Sequence, residues 1–92
     1  MKQVIVFHQN GCPACHNYLP RFRRKAVKYR AFVNIQLANI SRNQKALVAA
    51  DKYKVKAVPT TVVLDASDKL IKKIEGAIDD AKIVELLESA AK

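Results

Sequence analysis

The sequence predicts an α/β domain in the order β-α-β-α-β-β-α, a four-stranded mixed sheet with helices on both faces. Three observations lead there. Short runs of β-branched and aromatic residues, Val4-Ile5-Val6-Phe7 and Thr60 to Leu64, are too brief for helices and read as strands. Longer stretches between such runs repeat apolar residues at helical spacing. Strands that alternate with helices imply parallel pairing, because a right-handed crossover joins the first two strands. A chain of 92 residues suits a single domain, 1–92, with one modest core.

Lys2 to His8 forms the first strand, and Gln9-Asn10-Gly11 turns the chain. Cys12 can cap the first helix, with Pro13 at its first position, where a missing N–H costs nothing. Cys15, Tyr18, Leu19, Phe22, Ala26 and Tyr29 make its apolar stripe, and Pro20 inside it predicts a kink. Phe32, Val33, Ile35 and Leu37 give a second strand. Asn39-Ile40-Ser41 turns into a second helix with Ser41 as its expected cap and Ala46, Leu47, Ala50 and Tyr53 facing inward. Val55 to Val58 leads to Pro59. Thr60 to Leu64 is the third strand, and Leu70, Ile71 and Ile74 mark a fourth that joins it as an antiparallel hairpin through the Asp65 to Asp68 turn. After Gly76, Asp79-Asp80 supply the negative charge favoured at a helix start. Ile83, Leu86, Leu87 and Ala90 complete the last helix.

Charge is lopsided along this chain. Residues 1–50 hold nine Lys or Arg and no acid, so the whole formal charge of +9 sits in the first half. The ordinary use of such a surface is solubility, and the sharper one is docking of an acidic protein or nucleic acid. Basic residues without interleaved aromatic groups do not make a base-stacking surface, so nucleic acid is not an expected partner. Four apolar residues between polar neighbours near the N-terminus are too few for a secretory or membrane-spanning segment. A cytoplasmic monomer without membrane attachment is therefore expected, in a compartment where a disulfide persists only by cycling.

The chemistry concentrates in Gly11-Cys12-Pro13-Ala14-Cys15-His16, which holds both cysteines. A thiolate at a helix N-terminus is favoured by the macrodipole and unpaired N–H groups, which makes Cys12 the expected nucleophile. Cys15, one turn inward on the apolar stripe, suits a resolving thiol. The run also satisfies the C-x-x-C-H pattern of c-type haem attachment, but haem needs an export route, a pocket and usually a second axial ligand, and Met1 is the only methionine. Zinc needs four ligands, and only His8 and His16 could join the cysteines. The balance favours a redox-active dithiol with no metal and no cofactor beyond the Cys12–Cys15 disulfide.

Strand, turn, C-x-x-C and helix, followed by Ala57-Val58-Pro59-Thr60, resemble the thioredoxin superfamily across nearly the whole chain. The extra N-terminal strand and helix of full thioredoxins are missing, so the resemblance is to a minimal thioredoxin fold. Pro20, the Asn39-Ile40 turn, the run Ala50 to Thr60 and Glu75-Gly76-Ala77 all match that pattern. The resemblance implies a cis Val58–Pro59 bond beside the disulfide, with the backbone of Val58 pairing with a substrate chain like an added strand. It also implies a substrate surface of Pro13, Ala14, Val58, Pro59, Thr60 and Gly76.

Departures refine this. Gly-Cys-Pro-x-Cys resembles glutaredoxins, yet Gln9 and a single Gly76 stand where glutaredoxins carry a lysine and a glycine pair that hold glutathione. Aligned outward from Cys12, the buried aspartate of thioredoxins falls at Val6 and its accompanying lysine at Leu37, an ion pair replaced as a unit by apolar residues. His8 and His16 remain as groups able to tune the thiols, His8 being the nearest titratable residue on the strand side. The expected function is protein-disulfide reduction by a Cys12/Cys15 cycle on disulfide-containing protein substrates, recharged by a thioredoxin-reductase-like enzyme or a small thiol. The alternatives are a glutathione-dependent reductase and a basic binding module.

Overall fold

Val4, Ile5, Val6 and Phe7 are all buried, because β1 (Gln3–His8) lies inside the sheet with its side chains covered on both faces. A computed structural model of the chain describes all 92 residues. β1 is flanked by β2 (Asn34–Asn39) and β3 (Thr60–Leu64), and β4 (Leu70–Glu75) completes the order β2-β1-β3-β4. β1 and β2 run parallel, with Val6 opposite Leu37, and the two remaining pairings are antiparallel. The parallel pair needs a crossover, which α1 (Pro13–Ala26) supplies. The sheet is mixed, with three helices, as expected from the alternation of elements.

Alternation along β1 sorts the core into two layers. Val4 and Val6 meet Tyr18, Phe22 and Ala26 of α1 and Ile83, Leu86, Leu87 and Ala90 of α3 (Asp80–Ala91). Ile5 and Phe7 point the other way, with Val62 and Leu64, toward Ala50 of α2 (Gln44–Lys52) and Tyr53 just beyond it. The one fully buried side-chain hydrogen bond joins the Tyr18 hydroxyl to Thr61 Oγ1 at 3.0 Å. No buried side-chain nitrogen or oxygen lacks a partner.

Three local expectations are corrected. Phe32 is 59% exposed and precedes β2, because the amides of Phe32 and Val33 both bond the Tyr29 carbonyl in the turn that closes the crossover. Val33 is nonetheless buried beneath that turn. The cap of α2 is Asn43, whose Oδ1 accepts from the amides of Lys45 and Ala46 at 2.9 and 3.3 Å, and Ser41 serves elsewhere. Leu47 is 47% exposed, since Ala46, Ala50 and Tyr53 already define the inward stripe and Leu47 lies about 100° round the helix from Ala46. Pro20 lies inside α1, on its exposed side.

The two layers predict contrasting substitutions. Phe22→Ala should lower unfolding free energy by about 3–5 kcal/mol through lost burial and a residual cavity. Leu47→Gln should change it by no more than about 0.5 kcal/mol. Urea titrations of both variants check this, and a large loss from Leu47→Gln would contradict the helix phase described.

Candidate functional site

The site begins where β1 stops. Gly11 adopts φ +68°, a left-handed conformation open to glycine, and swings the chain from strand to helix. Cys12 follows in extended conformation as the N-cap of α1, and Pro13 occupies the first turn. The Cys15 amide donates to Cys12 Sγ at 3.1 Å, and the His16 amide donates to the Cys12 carbonyl at 3.0 Å. Cys12 and Cys15 are joined in a disulfide with their Cα atoms 5.2 Å apart. The two sulfurs are not equivalent: Cys12 is half-buried at the helix start, and Cys15 is 2% exposed one turn further in. Pro13 and Ala14 are exposed on the rim.

The loop before β3 supplies the second half. The Val58–Pro59 peptide bond is cis, and the Val58 carbonyl oxygen lies 3.9 Å from Cys12 Sγ. Pro59 is buried, and its carbonyl accepts from the Gly76 amide at 2.7 Å. Gly76, at φ +87°, thus clamps the proline loop with its backbone and carries no side chain toward the site. Thr60, expected on the substrate surface, is fully buried, and its hydroxyl donates to the Ala57 carbonyl at 2.6 Å. Its role is to hold the loop.

Sequence reasoning missed a set of polar bonds behind the cysteine turn. The Asn10 amide donates to Ser41 Oγ at 3.1 Å, Asn39 Nδ2 donates to Asn10 Oδ1 at 3.0 Å, and the Ser41 amide donates to Asn39 Oδ1 at 2.8 Å. The only sequence signal was the turn character of Asn39-Ile40-Ser41. Their partner is set by the register of β1 on β2, which places Asn39 opposite His8.

A cleft of about 520 Å³ opens beside the disulfide, lined by His8, Asn10, Cys12, Cys15, His16, Leu19 and Asn39 among others, with no Asp or Glu. His8 is half-buried, and burial first, then the Arg23 guanidinium, hold its imidazole below the usual value of 6.5. His16 is exposed. Tyr18, one turn beyond Cys15, has its phenol pushed up by burial against the opposing effects of the Thr61 hydrogen bond and Arg21. Arg21 makes the single ion pair of the chain, to Asp80 at 3.1 Å, and also donates to the Ile78 carbonyl at 3.0 Å. No group of three or more His, Cys, Asp or Glu side chains is placed so that it could hold a metal ion, and no helix is long and apolar enough to cross a membrane.

A disulfide at a helix N-terminus, beside a cis-proline loop on a four-stranded sheet, defines a thioredoxin-like protein with a redox cysteine pair. The model of the thioredoxin-like domain family matches residues 1–91, and the chain belongs to that family. Among solved structures, Fasciola hepatica thioredoxin is similar, with 26% identity and a TM-score of 0.79 over 97% of this chain and 80% of that one. An uncharacterised thioredoxin-like protein from Clostridium perfringens has 26% identity and a TM-score of 0.81, covering 98% of this chain and 71% of its own. Malassezia sympodialis thioredoxin, at 19% identity and a TM-score of 0.80 over 99% and 76% of the two chains, shares the fold. A comparison with curated proteins found no match.

Two outcomes follow from this geometry. Asn39→Ala should lower stability by about 1 kcal/mol and speed amide exchange at Asn10 and Ser41, since it unties the turn from β2. Hydrogen exchange that is unchanged at those amides would contradict the bracing role. The lowered His8 value also links to stability. As pH falls through 6.5, the unfolded chain takes up a proton that folded His8 still refuses, so the His8 contribution is present above 6.5 and is lost on acidification toward the folded value. Urea midpoints measured across this range should fall less steeply in His8→Gln.

Proposed function

We propose that the protein is a thiol–disulfide oxidoreductase that reduces disulfides in protein substrates through a Cys12/Cys15 cycle. The observation that carries this reading is the asymmetry of the pair. Cys12 offers its sulfur at the rim and at the positive end of α1, where a thiolate is favoured, and Cys15 waits behind it. In the cycle the Cys12 thiolate attacks a substrate disulfide and expels one substrate thiolate. Cys15, deprotonated, then attacks Cys12 Sγ, releases the second substrate thiolate and closes Cys12–Cys15. Two electrons pass from the protein to the substrate.

The loop opposite supports a peptide substrate. A chain laid as a strand along the backbone of Val58 would carry its sulfur beside Cys12, because the Val58 carbonyl is 3.9 Å from that sulfur. Pro13 and Ala14 form the exposed edge over which such a chain would pass. The dithiol is restored by a thioredoxin-reductase-like enzyme or a small thiol, in a reducing compartment such as the cytoplasm, and the protein acts as a monomer.

Insulin reduction tests the cycle. Cys12→Ser should bring activity to background, and Cys15→Ser should accumulate a mixed disulfide with insulin that a gel without reductant detects. Full activity in Cys12→Ser would overturn the reading. Reduction of the oxidised protein by thioredoxin reductase should outpace reduction by glutathione, and the reverse order would make the protein a glutathione-dependent reductase.

A further inference from the structure

The proposed cycle leaves one proton without a destination. Cys15 has to lose its thiol proton before it attacks, because the thiolate is the nucleophile. Cys12 has the start of α1 to favour its charge. Cys15 is 2% exposed, and burial there disfavours its thiolate, so a nearby acceptor is needed.

Few groups can serve. The cleft beside the disulfide has no carboxylate, and the neighbouring β1–β2 pair presents Val6 opposite Leu37, both apolar. Tyr18 has its hydroxyl engaged with Thr61, and burial keeps it a neutral phenol, which is no base for a thiol. Arg23 is permanently cationic. Two imidazoles remain, and they differ in placement. His16 adjoins Cys15 on the solvent side of α1. His8, the last residue of β1, follows Val4 and Val6 in the alternation that faces α1, is half-buried, and lines the same cleft as Cys15 and Leu19.

We propose that His8 is the proton acceptor for Cys15 when the mixed disulfide is resolved. This rests on Cys12 as nucleophile and Cys15 as resolving thiol. The Cys15 S–H proton crosses the cleft to a ring nitrogen of neutral His8, and the Cys15 sulfur forms its bond to Cys12 Sγ. The bond from Cys12 to the substrate sulfur breaks, and the substrate leaves as a thiolate that takes its proton from the imidazolium or from solvent. The charged and titratable groups facing His8 are Arg23 and His16 of α1 and the two cysteines, while β2 contributes the uncharged Asn39. Burial and Arg23 both disfavour an imidazolium, so the ring is neutral at rest and, once protonated, passes the proton on readily to the leaving thiolate.

The reduced protein mixed with Ellman's reagent releases two aromatic thiolates in turn, the first set by Cys12 and the second by Cys15. In His8→Gln the ratio of the second rate to the first should fall about tenfold or more at neutral pH, and the second rate should become steeply dependent on hydroxide. An unchanged ratio and pH profile would overturn the assignment. Should the variant not fold, the His8 ring can be titrated by NMR in the native protein. Its curve in the dithiol form should carry an inflection that tracks Cys15 and disappears in Cys15→Ser; identical curves would refute the coupling. A Cys12→Ser protein that still gives both releases at the native rates would overturn the underlying cycle instead.

Discussion

Phe7 stands opposite Thr60 in the antiparallel β1–β3 pair, and that register assembles the site. One residue beyond Phe7, β1 gives way to the cysteine turn, and immediately before Thr60 comes the cis Val58–Pro59 bond. Two segments 46 residues apart therefore meet at one end of the sheet, close enough for Cys12 Sγ to lie 3.9 Å from the Val58 carbonyl. The register is firm because β1 is buried on both faces. A slip by one residue would exchange Val4 and Val6 with Ile5 and Phe7 between layers that differ in shape. Core packing thus sets the geometry of the redox pair, and the bond from Gly76 to the Pro59 carbonyl keeps the second half in place from the other side.

Around this pair the interior is almost uncharged. Val6 faces Leu37, and the deepest polar contact nearby is the hydroxyl pair of Tyr18 and Thr61. Neutral partners avoid the desolvation cost that a buried ion pair would carry. The consequence is chemical: the titratable group nearest the disulfide on the strand side is His8, in the cleft, where burial and Arg23 both hold its imidazole below the usual value. The groups that could ionise near the disulfide therefore come from the end of β1 and the outer face of α1.

Legibility in the sequence followed the range of the interactions involved. β1, β3, α1 and α3 were readable because their signals are local, as in the unbroken apolar run Val4 to Phe7 or the stripe Ile83, Leu86, Leu87 and Ala90. The cysteine turn was readable for the same reason, with Gly11, Cys12 and Pro13 each suited to its backbone position. Leu47 misled because two adjacent apolar residues, Ala46 and Leu47, fit alternative helix phases, and only contact with the sheet chooses between them. Ser41 misled because a good capping side chain was recruited instead by the amide of Asn10, 31 residues away. Thr60 follows the cis-proline directly in sequence, but its hydroxyl turns back to the Ala57 carbonyl.

The distribution of charge along α1 connects composition to chemistry. Its first turn contains no acid, and its last turn carries Arg23, Arg24 and Lys25. The basic end complements the negative pole of the helix. At the other end nothing neutralises the positive pole except Cys12 itself. α3 makes the opposite choice, with Asp79 accepting from the Lys82 amide and Asp80 in the first turn. A carboxylate at the start of α1 would stabilise the helix in the same way, and it would also repel a thiolate at Cys12. The acid-free first half of the chain is therefore more than a solubility device at this position. It leaves the helix terminus to the sulfur, at the sacrifice of an ordinary capping charge.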